Sequence, residues 1–436
     1  MENRNRDDYF NFDAFDESID SRDYRRRQPD RRGAGYGSRP GYDRRRPNRR
    51  RNRTRMRNRA IIIGGALLIL ILLIVLLSLM FRGCGGSETP AAVSTDIKAK
   101  QETTVEVTTQ PLDANGIPSD SPLSITNFIK PNPTDDNSEG YDAGVIYVWN
   151  KTGFELFGGS ENSALAYAET VSTLASKLSG MNVYSLMVPN HTEIGLPERL
   201  KAQTSTNSQA ENIKTAYAAM KNGVKPVNAY NYLAEHCNEY IYFKSDHHWT
   251  GLGAYYAYKA FADTLGMPAL DLSTCTEQTI PDFTGTFMSL ADGLDTDEVH
   301  YWQFPYDVSM QISYSDGTTE DYDSPYFDDE ASGTLSYGVF IYGDNPLTVL
   351  KSGSDNAESG RKIAVIKESY GNAFVPYLTN NFEEVHIMDM RTFREASNVD
   401  FKLYCQQNGI TDVLFLNGIM SANTPLQLDS ITAMFD

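Results

Sequence analysis

The run Ala60 to Phe81 (AIIIGGALLILILLIVLLSLMF) holds 22 residues without a charge. As a helix it would span about 33 Å, enough to cross the hydrocarbon core of a bilayer. It is longer than the apolar region of a cleaved signal peptide, and no small-residue cleavage site follows it. Phe81-Arg82-Gly83-Cys84 has Arg82 where a lipidation site needs a small residue, so the run is read as a transmembrane helix over 60–81. Whatever else folds must do so on one side of that helix or the other.

The two sides differ sharply in charge. Residues 1–59 contain 19 Arg, no Lys and 10 acids, and 31–59 alone carry 13 Arg against the single acid Asp43. With few apolar residues to bury, this segment is expected to be a disordered basic tail. The arginines keep it in the cytoplasm by the positive-inside rule, which sends residues 82 onward out of the cell. The chain is thus expected at the cell membrane, single-pass, with its N-terminus cytoplasmic and its bulk extracellular.

The whole chain has 39 basic and 57 acidic residues, a net charge of −18. Removing the 19 arginines and 10 acids of the tail leaves 20 basic and 47 acidic residues, or −27, for the exported part. That balance excludes a nucleic-acid partner there. The tail itself reads as a topology signal, with contact to anionic lipid or nucleic acid as the alternative. Four cysteines, Cys84, Cys237, Cys275 and Cys405, lie far apart with no C-x-x-C pair. A zinc ribbon and a dense disulfide framework are excluded, and the pairing of the cysteines stays open.

Residues 82–139 are rich in Thr, Ser, Pro, Asp and Gly, with scattered apolar residues such as Ile125 and Phe128, and read as an extended stalk. From about Tyr141 strand and helix signals alternate, the mark of an α/β domain with a mainly parallel sheet, here 140–436. Strands are expected at Gly144 to Trp149, Val183 to Val188, Lys225 to Ala229, Lys362 to Lys367, Glu384 to Met388 and Val413 to Leu416. Helices are expected over Ser163 to Leu178, Gln209 to Lys221, from Leu252 to about Gly266, and over Phe401 to Gln407. Residues 270–358 break this rhythm, with a hairpin signal where Val308 to Ser315 runs into Asp316-Gly317, and read as an inserted β-rich lobe.

Two stretches carry chemistry. Tyr242 to Thr250 (YFKSDHHWT) places the carboxylate Asp246 two residues before the imidazole of His248, and Lys362 to Pro376 (KIAVIKESYGNAFVP) sets Ser369 where an apolar strand gives way to a helix start. Active groups of parallel sheets gather at such strand ends, where the serine hydroxyl is exposed and its own N–H faces an oxyanion. A serine needs an imidazole to take its proton, and the imidazole needs a carboxylate to fix its tautomer. Ser369 is also a plausible plain N-cap, and Asp246, His247 and His248 plausible metal ligands, although adjacent side chains diverge and no third histidine clusters nearby. His247 and Trp249 read as packing supports.

With GDNP at Gly343 to Pro346 and MDMR at Met388 to Arg391, these two stretches resemble the bacterial DHHW family. That family is similar to the alginate O-acetyltransferases AlgJ and AlgX, which implies an SGNH-hydrolase-like α/β fold, a parallel sheet sandwiched by helices. The resemblance implies Ser369 as nucleophile, His248 as base and Asp246 as orienting acid, with no cofactor and no metal. Glu368 departs from the pattern, which commonly has Asp before the serine. Oxyanion donors come from the ends of the next strands in such enzymes, which points to Arg391 and Asn417, with Tyr370 and Asn372 as weaker candidates.

The implied activity is O-acetyl transfer to a cell-envelope polysaccharide through an acyl-enzyme, with a multi-pass membrane acyltransferase as acyl donor partner. A carbohydrate acetyl esterase would use the same residues, and a non-catalytic glycan-binding scaffold is the alternative from another class. Aromatic stretches such as Tyr301-Trp302 and Phe304-Pro305-Tyr306 are candidates for stacking on sugar rings or for core.

Overall fold

The computed structural model describes residues 121–329 and 331–436, together with 112 and 116–119. The expected basic tail, the membrane run at 60–81 and the first part of the stalk lie outside the described residues. Among the described residues no helix is long and apolar enough to cross a membrane.

Three short strands open the domain: β1 (Tyr141–Asp142), β2 (Ile146–Trp149) and β3 (Thr152–Glu155). They form an antiparallel sheet of their own, so the run 144–149 is not a strand of the main sheet as its apolar character suggested. Asn150 and Lys151 both sit at positive φ, 48° and 59°, which makes a two-residue hairpin of the primed type between β2 and β3.

There follow α1 (Glu161–Ala175), β4 (Asn182–Val188), α2 (Gln209–Ala219), β5 (Lys225–Pro226), α3 (Ala229–Glu235) and α4 (Gly251–Leu265). Next come β6 (Thr276–Phe283), β7 (Asp297–Gln303), β8 (Val308–Ser313), β9 (Thr319–Tyr322), β10 (Leu347–Ser352) and β11 (Glu358–Lys367). The chain closes with β12 (Phe382–Asp389), α5 (Phe401–Asn408), β13 (Asp412–Gly418) and α6 (Pro425–Ala433).

The main sheet has eight strands in the order β5-β4-β13-β11-β12-β10-β8-β9. From β5 to β12 every pairing is parallel. All of β13, and β4 from Val183 on, are buried, the pattern of strands covered on both faces. The remaining pairings, through β10, β8 and β9, are antiparallel. Most of the expected lobe over 270–358 is therefore not separate: only β6 and β7 form their own two-stranded sheet, while β8, β9 and β10 extend the main one. The physical reason lies in the alternation of β8, whose Val308, Met310 and Ile312 are buried while Ser309 and Gln311 face water. Such a strand needs only one covered face and joins an existing sheet edge.

Side-chain caps fix the helix starts. The Ser160 and Ser163 side chains exchange hydrogen bonds with each other's backbone at the head of α1. Thr250, the last residue of the motif, caps α4 by accepting from the Gly253 N–H at 3.3 Å, and Gly266 ends the helix at φ 67°. The motif loop is thereby welded to the helix that follows it.

The stalk ends earlier than 139. Ile125 is buried, Phe128 stacks on Tyr230 at 4.8 Å, and Asn231 binds Pro122 O, Asn127 O and the Ile129 N–H. The few apolar residues of that stretch anchor it to the domain. The aromatic stretches of the lobe are likewise mainly packing: Tyr301 and Trp302 are buried, and Phe304 lies against Tyr306, Tyr326 and Tyr377.

Candidate active site

The motif loop closes on itself before it presents anything. Tyr242 bridges Trp249, the Phe243 N–H donates to His248 O at 3.3 Å, and Thr250 N–H donates to Ile241 O at 3.0 Å. Asp297 on β7 holds its base, accepting from the Lys244 N–H, the Ser245 N–H and the Ser245 hydroxyl at 2.9, 2.8 and 2.6 Å. Segment 283–289 lies against the other side. A Cβ on Gly285 would stand 2.3 Å from Asp246 Cβ and 2.5 Å from Ser245 O, so this close approach requires glycine.

Within this frame Asp246 Oδ2 accepts from His248 Nδ1 at 2.6 Å and from the His248 N–H at 3.2 Å. Its Oδ1 accepts from the N–H and hydroxyl of Thr286 at 2.9 and 3.0 Å. Burial opposes ionisation of Asp246, but the imidazoles of His247 and His248 and these hydrogen bonds hold it well below the usual carboxylate range. With Nδ1–H given to Asp246, His248 Nε2 is left as the acceptor, and it lies 2.7 Å from Ser369 Oγ across 121 residues of sequence. The Tyr337 ring stacks on His248 at 4.2 Å and its hydroxyl donates to Ser369 O at 3.1 Å. Asp246, His248 and Ser369 are 3, 2 and 1 % exposed, so the array is water-poor.

Ser369 stands on the turn after β11, the strand between β13 and β12. Glu368 ties this turn to its neighbour: Oε1 accepts from the Gly418 N–H at 2.6 Å and Oε2 from the Tyr370 N–H at 2.8 Å. Burial raises the Glu368 pKa, against the pull of those two N–H groups, His248 and Arg391. The extra methylene over Asp is thus what reaches the end of β13. Among the described residues the Ser369 N–H has no acceptor, so it is left for a charge developing beside Oγ.

The expected oxyanion donors have other work. Arg391 Nη2 lies 2.6 Å from Asp344 and 2.7 Å from Asp389, and its Nε donates to Asp389 at 2.9 Å. Asn417 is fully buried, accepting from the Tyr167 hydroxyl at 3.2 Å with its amide on Met390 Sδ. The Tyr370 N–H serves Glu368, and its hydroxyl donates to His247 O. Asn372 donates to Asp344 at 2.9 Å. A strand-end position says where a side chain starts, not which acid claims it.

That acid network was not foreseen. Lys367, 0 % exposed, lies 2.7 Å from Asp344 and 3.2 Å from Asp389. Burial opposes the charge on Asp344, but Lys367 and Arg391 hold its pKa well below the usual range. Asp344 is delivered by a tight turn in which Ile341, Tyr342 and Gly343 all have positive φ and Asn345 donates to Ile341 O and Tyr342 O. The GDNP and MDMR motifs supply Asp344, Asp389 and Arg391 of this network, and β11 supplies Lys367, two residues before Ser369.

Behind the motif loop, Glu155 at the end of β3 is buried with Oε1 unpartnered, and Oε2 is 3.4 Å from Asn190 Nδ2. Burial pushes its carboxyl up to about 7, helped by Asp246 and opposed by His247 and Asn190. An acid whose pKa is raised on folding stabilises most below its unfolded value, and that contribution is lost as pH rises through the folded one. The Glu155 contribution alone is expected to fall by about 3 kcal/mol between pH 4.5 and roughly pH 8, while buried His191, its pKa lowered by desolvation to about 4, contributes a change of opposite sign. Urea denaturation across that window should show the native chain losing stability relative to Glu155→Gln as pH rises, a difference from which the His191 contribution cancels.

Asp246, His247 and His248 have ligand atoms within 4.8 Å of one another, the spacing a metal would need. Both Asp246 oxygens and both His248 nitrogens are already engaged by Thr286, by each other and by Ser369. A metal would have to displace those bonds. A cavity of about 350 Å³ opens beside the array, with Asp246 and His248 in its wall, segment 283–289 on one side and Thr334 and Tyr337 on the other.

The family model described as DHHW protein matches residues 93–388. The fold is similar to the crystal structure of a DHHW family protein from Eubacterium siraeum, at 29% identity and a TM-score of 0.61, covering 68% of this chain and 98% of that one. It is also similar to Bacillus cereus PatB1 solved with a sulfonyl adduct, at 20% identity and a TM-score of 0.53, covering 65% and 97%. The O-acetyltransferase domain of Pseudomonas putida AlgJ aligns at 11% identity and a TM-score of 0.33 over 67% and 97%, too slight a likeness to compare sites. No curated protein matches the chain.

Proposed function

Since this chain belongs to the DHHW family, we propose that it is a membrane-anchored, extracytoplasmic serine O-acetyltransferase that modifies a cell-envelope polysaccharide through a Ser369-His248-Asp246 triad. The observation that carries this reading is the 2.7 Å approach of His248 Nε2 to Ser369 Oγ, with Asp246 2.6 Å from Nδ1. The motif pair's resemblance to O-acetyltransferases supplies the acyl group. The uncharged run at 60–81 and its arginine-rich flank supply the membrane placement.

The chemistry follows from the array. Ser369 Oγ attacks the carbonyl of an acetyl ester as its proton passes to His248 Nε2. Asp246, kept ionised, stabilises the imidazolium, and the Ser369 N–H faces the new oxyanion. On collapse the ester C–O bond breaks, and the imidazolium gives its proton to the departing alkoxide, leaving acetyl-Ser369. A sugar hydroxyl then gives its proton to His248 Nε2 and attacks the acetyl carbon, and collapse returns the proton to Ser369 Oγ. In this reading a multi-pass membrane acyltransferase delivers the acetyl group to the extracellular side.

The test is incubation of the full chain in detergent with a small acetyl ester and envelope oligosaccharides, read by mass. Acetylated sugar is the expected product. Free acetate alone would make the chain an esterase, and no turnover at all would make it a scaffold.

A further inference from the structure

The cavity beside His248 has a composition that selects among polymers. Among the described residues its ionisable side chains are Asp246, His248 and Tyr337, and no Lys or Arg lines it. The arginine nearest in role, Arg391, is held by Asp344 and Asp389. Phe283, Met288 and Tyr337 give apolar wall, and Thr284, Ser289 and Thr334 give hydroxyls. At about 350 Å³ it is at the small end of ligand sites, which span roughly 300–1,000 Å³, room for one or two sugar rings rather than a long chain segment.

We propose that this cavity holds the acceptor as an uncharged sugar residue and excludes uronates and phosphodiester-linked sugars. This rests on the acyl-transfer reading above and adds the substrate class. A pyranose offers an apolar C–H face to Phe283, Met288 and Tyr337 and hydroxyls to the threonines and Ser289, with one hydroxyl brought to His248. A uronate carboxylate here would meet the ionised Asp246 with no cation to pair it. Carboxylate and phosphate recognition calls for Arg or Lys donors, and an unpaired carboxylate taken out of water is costly. The exported part adds a long-range bias of the same sign, with 47 acids against 20 basic residues.

The test separates binding from chemistry. Ser369→Ala full chain in detergent is titrated by calorimetry with uncharged β-linked N-acetylhexosamine oligomers and with hexuronate oligomers of equal length. The uncharged series is expected to bind at least about tenfold more tightly, with an affinity indifferent to salt. Ser289→Lys in the same background is expected to shift the ratio about fivefold or more toward the uronate, because it supplies the missing cation at the rim. Equal or tighter uronate binding, no binding of either series, or an unchanged ratio in Ser289→Lys would each overturn the proposal. Acetyl-ester turnover by the native chain, measured alongside, reports on the underlying reading: its absence sinks acyl transfer, while turnover without the sugar preference sinks only the acceptor assignment.

Discussion

Ser369→Ala is expected to lower turnover of a small acetyl ester by about 10⁴- to 10⁶-fold, to the residue of rate that binding and backbone donors alone supply. The hydroxyl it removes is the one 2.7 Å from His248 Nε2, and nothing else in the array offers a nucleophile at that place. Glu368 Oε2, 3.5 Å from Ser369 Oγ, is already engaged by the N–H of Tyr370. His248→Ala should cost a similar factor, and the double variant little more, because base and nucleophile act as one unit. Steady-state hydrolysis with each purified variant checks this, alongside thermal melts showing that the fold is kept. A Ser369→Ala enzyme within tenfold of the native rate would remove the serine from the mechanism.

Lys367→Met is expected to cost about 3–5 kcal/mol of folding free energy, the largest stability effect this site offers. Lys367 is fully buried between Asp344 and Asp389, and Arg391 alone cannot neutralise both acids. Removing the ammonium leaves a buried negative charge without compensation, whereas removing a charge of each sign does not. Adding Asp389→Asn to Lys367→Met should therefore recover more than half of the loss. Urea denaturation of the two variants and the native chain measures both numbers. Equal stability of the single and double variants would show that packing, not charge, is what Lys367 contributes.

These two effects differ in how far the sequence announces them. The array was legible because Asp246 and His248 share one loop and Ser369 ends an apolar run that only a covered strand can use, while the family resemblance supplied the pairing across 121 residues. Strands β4, β11, β12 and β13 were legible from their apolar runs, and α4 because its apolar face runs from Leu252 to the stop at Gly266. The ion network was not, since Asp344 reaches Lys367 from 23 residues away and owes its position to a left-handed turn at 341–343. Asp389, two residues before Arg391, was the available sign that the guanidinium is already spoken for. Glu368 met its partner Gly418 50 residues on, which no local pattern reports. The placement of β8, β9 and β10 failed at the same step: alternation shows that one face is buried, but not which sheet edge buries it.

The central claim is that Ser369 carries the acyl group, activated by His248. Its most direct measurement is peptide mass mapping of the full chain after brief incubation with an activated acetyl ester and rapid acid quench. The predicted result is one acetyl group, on the peptide containing Ser369, present in the native chain and absent when His248 is alanine. Acetylation that maps to another residue, or that persists on Ser369 at the same rate without His248, would contradict it.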